Sequence, residues 1–542
     1  MAITLWLAAC SSAPPPITSR PHDRTATGAR KSPSRGAGDS IDDLSASLAE
    51  IRRRLEVYVD SSDVLDSLYF GWFDRPYAKA ALAVAVKTMQ SLQREALMRR
   101  RGRSAIPDAS VRAMLAWLRT APDRAMSADP FPDFRPHRLR VTAELLRSGD
   151  GAGPLYAFVD RATGTSLHAR FGDLDLLASL GARVYARSAR FLPDVSSENE
   201  LGARAKALGI CVVGVVGEPW APQHEARVGT ADLVVRPLTL DALLTEREPS
   251  DLAANEILAL LDPPEGESWS GSLARRGLAR GRSSDSRFFT YGWRPPGAGG
   301  HGAANDARIT AAMWVHALEG QTVALIEGWR DLRDGSMSPY PSSFVDPVRI
   351  ERLAHTALDV LRLRDHVSPY WTNSILAVVV DTDAVDPQDE NAWADWIGPL
   401  WAALLDEQIR FDVIGAGFAS DDAHARYPVL VSVHRDEVVP LESLMRRIKG
   451  RLSALPGFDT RLVAVDANGA TGGGVFLRTA QSSNGRTCVA LANLTERARS
   501  VRLRGEPKLG PLRDVINNSK VEDPRRGVRL GPWQVRLLES AR

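Results

Sequence analysis

The chain has 542 residues, 44% of them hydrophobic and 25% charged, with a formal net charge of +2. That length exceeds what one hydrophobic core serves, so about three or four domains are expected. A charge this near zero argues against a nucleic-acid role, because phosphate binding needs a concentrated basic face.

At the amino end, a short apolar stretch from Ile3 leads into Leu7-Ala8-Ala9-Cys10-Ser11. This resembles the lipobox of bacterial lipoproteins, in which the signal is removed and the cysteine is acylated. Residues 1–16 are then a lipoprotein signal, and the Ser-, Pro- and Gly-rich residues 17–40 a tether. The start carries no Lys or Arg, and its apolar core is shorter than the usual one, departures that a start codon set too far downstream explains. The resemblance implies export to the bacterial cell envelope with lipidation at Cys10. No other stretch approaches the ~18 apolar residues of a membrane span, so a lipid anchor is the only membrane contact expected.

Residues 41–128 read as helices. Leu44, Leu48, Ile51 and Leu55 recur at the three- and four-residue spacing of one buried stripe, with Ser40 as N-cap. Further helices are expected over Tyr77–Met98 and Val111–Leu118. The basic run Arg99 to Arg103 at the end of the second reads as a solvated helix end.

After a Pro-rich break at 129–137, the texture changes. Strands are expected at Arg138–Leu146, Leu155–Val159, Ala182–Ala186 and Ile210–Val216, and helices at Leu174–Leu180 and Glu198–Leu208. A strand at Arg287–Trp293, a helix at Ile309–Glu319 and a strand at Thr322–Ile326 follow. Repeated strand–helix pairs with continuous apolar strands imply a parallel sheet, open or closed. Leu252, Ile257, Leu260 and Leu261 have helical spacing, so Asn255-Glu256 between them is read as part of a helix. Residues 346–456 begin with an amphipathic helix at Asp346–Arg364. The strand Ile375–Asp381, the helix Trp393–Gln408 and the strands Phe411–Ile414 and Val429–Val433 come next, a flavodoxin-like order. Residues 457–542 carry strands at Gly474–Arg478, Thr487–Asn493, Ser500–Arg504 and Gln534–Leu538, a small β-sandwich.

Two stretches carry a resemblance. Glu198–Pro222, with Ala-Leu-Gly-Ile turning into Val-Val-Gly-Val-Val-Gly-Glu-Pro-Trp, is similar to the second helix and third strand of clan A glycoside hydrolase barrels. Trp314–Gly320 followed by Glu327-Gly328-Trp329-Arg330 resembles the last helix and strand of the family 42 β-galactosidase barrel, where a tryptophan floors the sugar site. The order that follows, an amidotransferase-like domain and then a small β domain, also resembles that family. The resemblance implies an α/β multidomain chain: a (β/α) barrel over 129–345, a flavodoxin- or amidotransferase-like α/β domain over 346–456, and a C-terminal β-sandwich. Two features depart from the pattern. About seventy residues separate the Glu218 strand from the Arg287 strand, so the barrel is abbreviated in its middle. The strand that should end in the nucleophilic glutamate reads Phe289-Thr290-Tyr291-Gly292-Trp293, with no carboxylate.

Glycoside hydrolysis needs two carboxylates flanking one bond, and strand carboxyl ends are where a barrel holds its chemistry. Glu327 and Glu218 fit that position, each beside an indole, Trp329 and Trp220, that can stack on a sugar. Both can equally be rim residues paired with arginine. Glu256 copies the Asn-Glu pair of clan A enzymes. Tyr291, Trp293, Arg294, Arg330 and Asp160 complete the expected sugar-binding rim. Asp173 and Asp175 are expected at a helix N-terminus, where negative charge is favoured. The functional expectation is hydrolysis of β-linked sugars; its alternatives are a catalytically inactive carbohydrate-binding or scaffold protein and an envelope structural protein.

No cofactor or metal is expected. The three cysteines, Cys10, Cys211 and Cys488, lack metal-ligand spacing, and His301, His316 and His424 do too. A Cys211–Cys488 disulfide stays open. Gly297–Gly302 and Gly472–Gly474 lack the context of a phosphate loop. Asp381-Thr382-Asp383 resembles a calcium-friendly acidic turn, although strand-end acids are common in flavodoxin-like domains, and Asn493-Leu494-Thr495 is a sequon without force in a bacterium. The amidotransferase-like domain contains no cysteine, so it is a structural or oligomerising module.

Overall fold

The computed structural model describes residues 44–56, 75–103, 106–126, 131, 134, 155–160, 167–188, 195–215, 233–238, 256–261, 289–293, 303–319, 323–330, 346–371, 374–380, 390–416, 425–433 and 441–540. Cys10, Ser40, Glu218, Trp220, Arg294, His301 and His424 lie outside them, as do the expected strand at 138–146, the loop at 297–302 and the acidic turn at 381–383.

Three helices come first: α1 (Leu44–Glu56), α2 (Pro76–Arg100) and α3 (Asp108–Met126). Leu44, Leu48 and Ile51 are buried in one stripe of α1. Helix α2 starts on Pro76, whose missing N–H costs nothing at a first helical position. From Pro76 to Val86 every residue of α2 is buried. A helix buried all round must be enclosed by neighbours, and alanines at 78, 80, 81, 83 and 85 let those neighbours come close. The basic run at its end is more than a solvated tip. Arg99 Nε donates to the buried Glu95 at 2.7 Å, and its Nη2 to the Ile106 carbonyl at 2.9 Å, which folds the chain back toward α3.

Seven parallel strands close into a barrel among the described residues: β1 (Leu155–Asp160), β2 (Val184–Ser188), β3 (Cys211–Val215), β4 (Leu233–Leu238), β5 (Glu256–Leu261), β6 (Phe289–Trp293) and β7 (Val323–Arg330). They pair in chain order, and β7 returns to β1. Helices α4 (Leu167–Ser179), α5 (Val195–Ala207) and α6 (Ala303–Leu318) fall between them in sequence. Helix α7 (Pro347–Arg362), grouped by sequence with the next domain, packs on α6, β1 and α2. The contact is tight. A Cβ on Gly181, which has φ +83°, would sit 2.9 Å from Leu358 of α7.

Two expectations are corrected and one open question is closed. Residues 256–261 form strand β5, not a helix. Asp175 lies well inside α4, buried, where Arg204 of α5 donates to both its oxygens at 2.7 and 2.8 Å; Asp173 shares that helix interior. The Cys211–Cys488 pairing that the sequence leaves open is not made: both are buried thiols with no disulfide between them.

The chain continues through α8 (Arg364–Val367) and a 3-10 turn at Ser368–Tyr370. Next come β8 (Leu376–Val380), α9 (Glu390–Asp406), β9 (Phe411–Gly415), β10 (Val429–Val433) and α10 (Leu441–Ser453). The three strands form a parallel sheet in the order β10-β8-β9. Every residue of β8 and β9 is buried, as continuous apolar parallel strands require. The one carboxylate in β9, Asp412, accepts from Ser374 Oγ at 2.9 Å and Tyr427 Oη at 3.0 Å.

Two antiparallel sheets end the chain. One has the order β11-β14-β17 (Val463–Val465, Arg499–Arg504, Val528–Leu530). The other has the order β12-β13-β18-β15-β16 (Val475–Gln481, Thr487–Asn493, Val535–Ser540, Leu512–Asp514, Ser519–Val521). Val475, Val489, Leu491, Val501, Leu503 and Leu538 share the core between them. The Asn493 sequon is structural: the side chain is fully buried and donates to the carbonyls of Arg497 and Gly531, both at 2.8 Å. Gly472–Gly474 form the loop before β12.

Charged pins fasten this sandwich to the barrel. Glu319, just past α6, is buried and accepts from Arg478 of β12 at 2.6 and 2.8 Å. Arg410 Nε lies 3.8 Å from the other oxygen. A carboxylate at a helix carboxyl end opposes the helix dipole, so the arginines are what make it tolerable there. Trp371 Nε1 donates to the Ala317 carbonyl at 2.7 Å. Arg362, the last residue of α7, joins three regions. It donates to Tyr77 of α2 at 3.3 Å and to the carbonyls of Val515 and Ile516 at 3.2 and 3.4 Å, and stacks 3.4 Å from the Phe131 ring centre.

Candidate active site

In a closed parallel sheet all strands run one way, so their carboxyl ends share one rim, and that rim is where barrel chemistry is built. The register fixes which candidates sit together. Asp160, the last residue of β1, pairs with Arg187 of β2 on one side and with Arg330, the last residue of β7, on the other. Trp293, the last residue of β6, pairs with Ile326 of β7, the residue before Glu327. Tyr291, Trp293, Glu327, Trp329, Arg330 and Asp160 therefore occupy the carboxyl halves of three successive strands, β6, β7 and β1.

The sheet is irregular at this place. Between Phe158 and Asp160 of β1, strand β7 advances from Ile326 to Arg330, so the extra residues lie in β7 and include Glu327. Between Ala324 and Ile326 of β7, strand β6 advances from Thr290 to Trp293, so it too bulges, at Tyr291 and Gly292. Among the described barrel pairings these two alone shift register, and both flank β7. Bulges concentrate at barrel rims and beside active sites because the extra residue re-aims a side chain. Gly292 and Gly328 lie within them, as suits distorted backbone.

The other candidates are elsewhere. Glu256 is the first residue of β5 and pairs with Val234 near the start of β4. It belongs to the amino end of the barrel, opposite the rim that carries Glu327. Glu218 follows the end of β3 at Val215, outside the described residues. Arg187 was missed by sequence, which ended this strand at Ala186; its signal was a cation directly after the apolar run Val184–Ala186.

Among the described residues, no group of His, Cys, Asp and Glu is arranged to hold a metal ion. Nor is any helix there long and apolar enough to cross a membrane. His316 is a buried residue of α6, within the helix layer around the barrel.

The flank holds a strongly perturbed lysine. Lys79 of α2 is 6% exposed. Burial and the nearby Arg183 push its ammonium down from 10.5 to about 7, against an opposing pull from Asp175. It lies where α2 approaches Asp175 and Arg183 on the barrel's flank, far in sequence from the rim residues.

No family model matches the chain, and no curated protein does. Similar solved structures are glycoside hydrolases of low identity. A family 42 exo-carrageenase from Bacteroides ovatus is 10% identical, covers 92% of this chain and 99% of its own, and has a TM-score of 0.48. A noncanonic maltogenic alpha-amylase from Thermotoga neapolitana is 11% identical over 73% of this chain and 100% of its own, with a TM-score of 0.28. A putative alpha-galactosidase from Bacteroides fragilis is 12% identical over 74% of this chain and 76% of its own, with a TM-score of 0.26. With TM-scores below 0.5, these likenesses decide nothing about chemistry at the rim.

Proposed function

We propose that the chain is a glycoside hydrolase that cleaves β-linked sugars at the carboxyl rim of its barrel. The observation that carries this reading is the pair of register shifts flanking β7, with Glu327 inside one of them. In the proposed reaction the Glu327 carboxylate attacks the anomeric carbon while Glu218 gives a proton to the departing oxygen. Water, losing a proton to Glu218, then releases the sugar and restores Glu327. Trp329, Trp293, Tyr291 and Trp220 would offer flat faces to the sugar ring, and Asp160 and Arg330 polar contacts to its substituents. Glu256, at the barrel's other end, has no part in this scheme.

The test is hydrolysis of aryl β-glycosides by the full chain and two variants. Glu327→Gln should abolish turnover, and Glu218→Gln should slow it by about 10²–10⁴-fold, less on substrates with good leaving groups. The anomer first released, read by NMR, reports retention or inversion. Undiminished turnover in Glu327→Gln overturns the assignment.

A second reading rests on the end of β6, Phe289-Thr290-Tyr291-Gly292-Trp293, which lacks a carboxylate. It makes the chain an inactive carbohydrate-binding or scaffold protein, and sugar binding without hydrolysis across the substrate panel would select it. We also propose that residues 346–456 form a flavodoxin- or amidotransferase-like module with a structural or oligomerising role. Export and acylation at Cys10 complete the proposal; Cys10→Ser should move the protein from the detergent phase to the aqueous phase on Triton partitioning.

A further inference from the structure

The β-sandwich carries a cavity that the barrel chemistry does not use. It is about 460 Å³ in volume and lies at one end of the β11-β14-β17 sheet. That volume falls within the ~300–1,000 Å³ of small-molecule sites. Three cations line it, Arg504, Lys508 and Arg525, against one carboxylate, Glu506. All three are exposed, and among the described residues none makes an ion pair or a side-chain hydrogen bond.

The backbone around these cations is built. The N–H of Glu506 donates to the Thr460 carbonyl at 2.7 Å, which fixes the segment after β14 against the chain entering β11. Gly505, with φ +116°, passes so close that a Cβ there would lie 2.2 Å from the Arg461 carbonyl oxygen. Only glycine allows that approach. The N–H of Leu503 donates to the Pro524 carbonyl at 3.0 Å, bringing Arg525 alongside Arg504. Glu506 is engaged by its own turn, accepting from the Lys508 N–H at 3.1 Å, and forms an ion pair with none of the three side chains.

The lining also matches more than a bare anion. Leu462, Leu503 and Leu509 are buried beneath the cavity and supply an apolar floor, while Thr460 and Glu506 offer partners to hydroxyls. None of the lining residues is aromatic, so the stacking that single-stranded nucleic acid needs is missing. Cations for an anionic substituent, polar groups for hydroxyls and leucines for a C–H face describe one ligand class. We propose that this cavity binds an acidic saccharide, one bearing carboxylate or sulfate groups, independently of any chemistry at the barrel.

Calorimetric titration of the full chain tests this with five probes: tetragalacturonate, a sulfated galactose tetramer, the neutral galactose tetramer, a tetraglutamate peptide and phosphatidylglycerol vesicles. At least one acidic saccharide should bind, and its affinity should fall about tenfold or more between ~50 and ~500 mM salt. The variant Arg504→Gln/Lys508→Gln/Arg525→Gln should weaken that binding at least ~10-fold, whereas Lys520→Gln outside the cavity should not. Because Arg504, Lys508 and Arg525 all lie in the β-sandwich, binding lost in the triple variant separates this site from the barrel. Unchanged binding in the triple variant overturns the proposal. Equal affinity for tetraglutamate or for the neutral tetramer, or binding to the vesicles alone, overturns it as well.

Discussion

Helix α2 meets the barrel's flank with alanines, and the β-sandwich meets the barrel with arginines. At the first contact the close approach of backbones excludes water, and the groups involved are small and rigid; Ala80, Ala83 and Ala85 are fully buried. At the second, a buried carboxylate, Glu319, is gripped by Arg478 with Arg410 nearby. Apolar contact is tolerant of losing one atom and intolerant of gaining several. A buried ion pair is the reverse: it gives little net stability when complete and costs much when one partner is removed. The two seams should therefore fail in opposite ways.

The largest effect is expected from Glu319→Ala, which leaves Arg478 and Arg410 without the carboxylate between them. Urea unfolding should show a loss of about 3–5 kcal/mol. A loss below ~1 kcal/mol would mean that the sandwich is held by packing alone and that the contrast with α2 is illusory. Next comes Ala83→Leu, which adds volume where none is free. A destabilisation of about 1–3 kcal/mol is expected, and a neutral result would show that α2 can shift on the barrel.

Lys79→Met probes the exception, a charge inside the apolar seam. The folded lysine titrates near about 7 against an ordinary 10.5, so the unfolded chain binds the extra proton between those values. Stability of the native protein should rise as pH climbs from about 7 toward 10.5, and this gain should be absent below about 7. The methionine variant should remove that slope and raise stability at pH 6 by about 1 kcal/mol. A slope that persists in the variant assigns it to another group. The smallest effect is expected from Arg308→Ala. Its pair with Glu496 is solvent-facing, with side chains 26% and 66% exposed, so the cost should stay below about 1 kcal/mol even with its stacking over Trp533. If Arg308 matters as much as Glu319, burial is not what distinguishes the pins.

The alternation of strand and helix was legible because periodicity and turn residues mark it independently of tertiary context. Thr487–Asn493 was read to the residue, since a polar turn bounds it on one side and Leu494 begins a new turn on the other. Strand β5 was misread because Ile257, Leu258, Leu260 and Leu261 form a continuous apolar run, which fits a buried strand and a buried helix alike. Ile257 is its one β-branched residue against three leucines and an alanine, too few to decide it. Strand β4 was overlooked, its run Leu233–Leu238 being broken by Arg236 and Pro237. At the rim, strand-end chemistry was visible in single strands as Asp160, Trp293 and Arg330. Their adjacency was not, because barrel closure pairs β7 with β1 across most of the domain, and neither the bulges nor Arg187 leaves a local signature.

Arg362 sets a schedule for the chain as it is made. Its partner Tyr77 precedes it by 285 residues, and its other contacts, at Val515 and Ile516, follow by 153 and 154. At ribosomal speeds of about 5–20 residues per second, the Tyr77 end of α2 waits roughly 15–60 s for α7 to emerge. During that interval one flank of an alanine- and valine-rich helix lacks its eventual cover, so the nascent protein should depend on chaperone shielding until the carboxyl third leaves the ribosome.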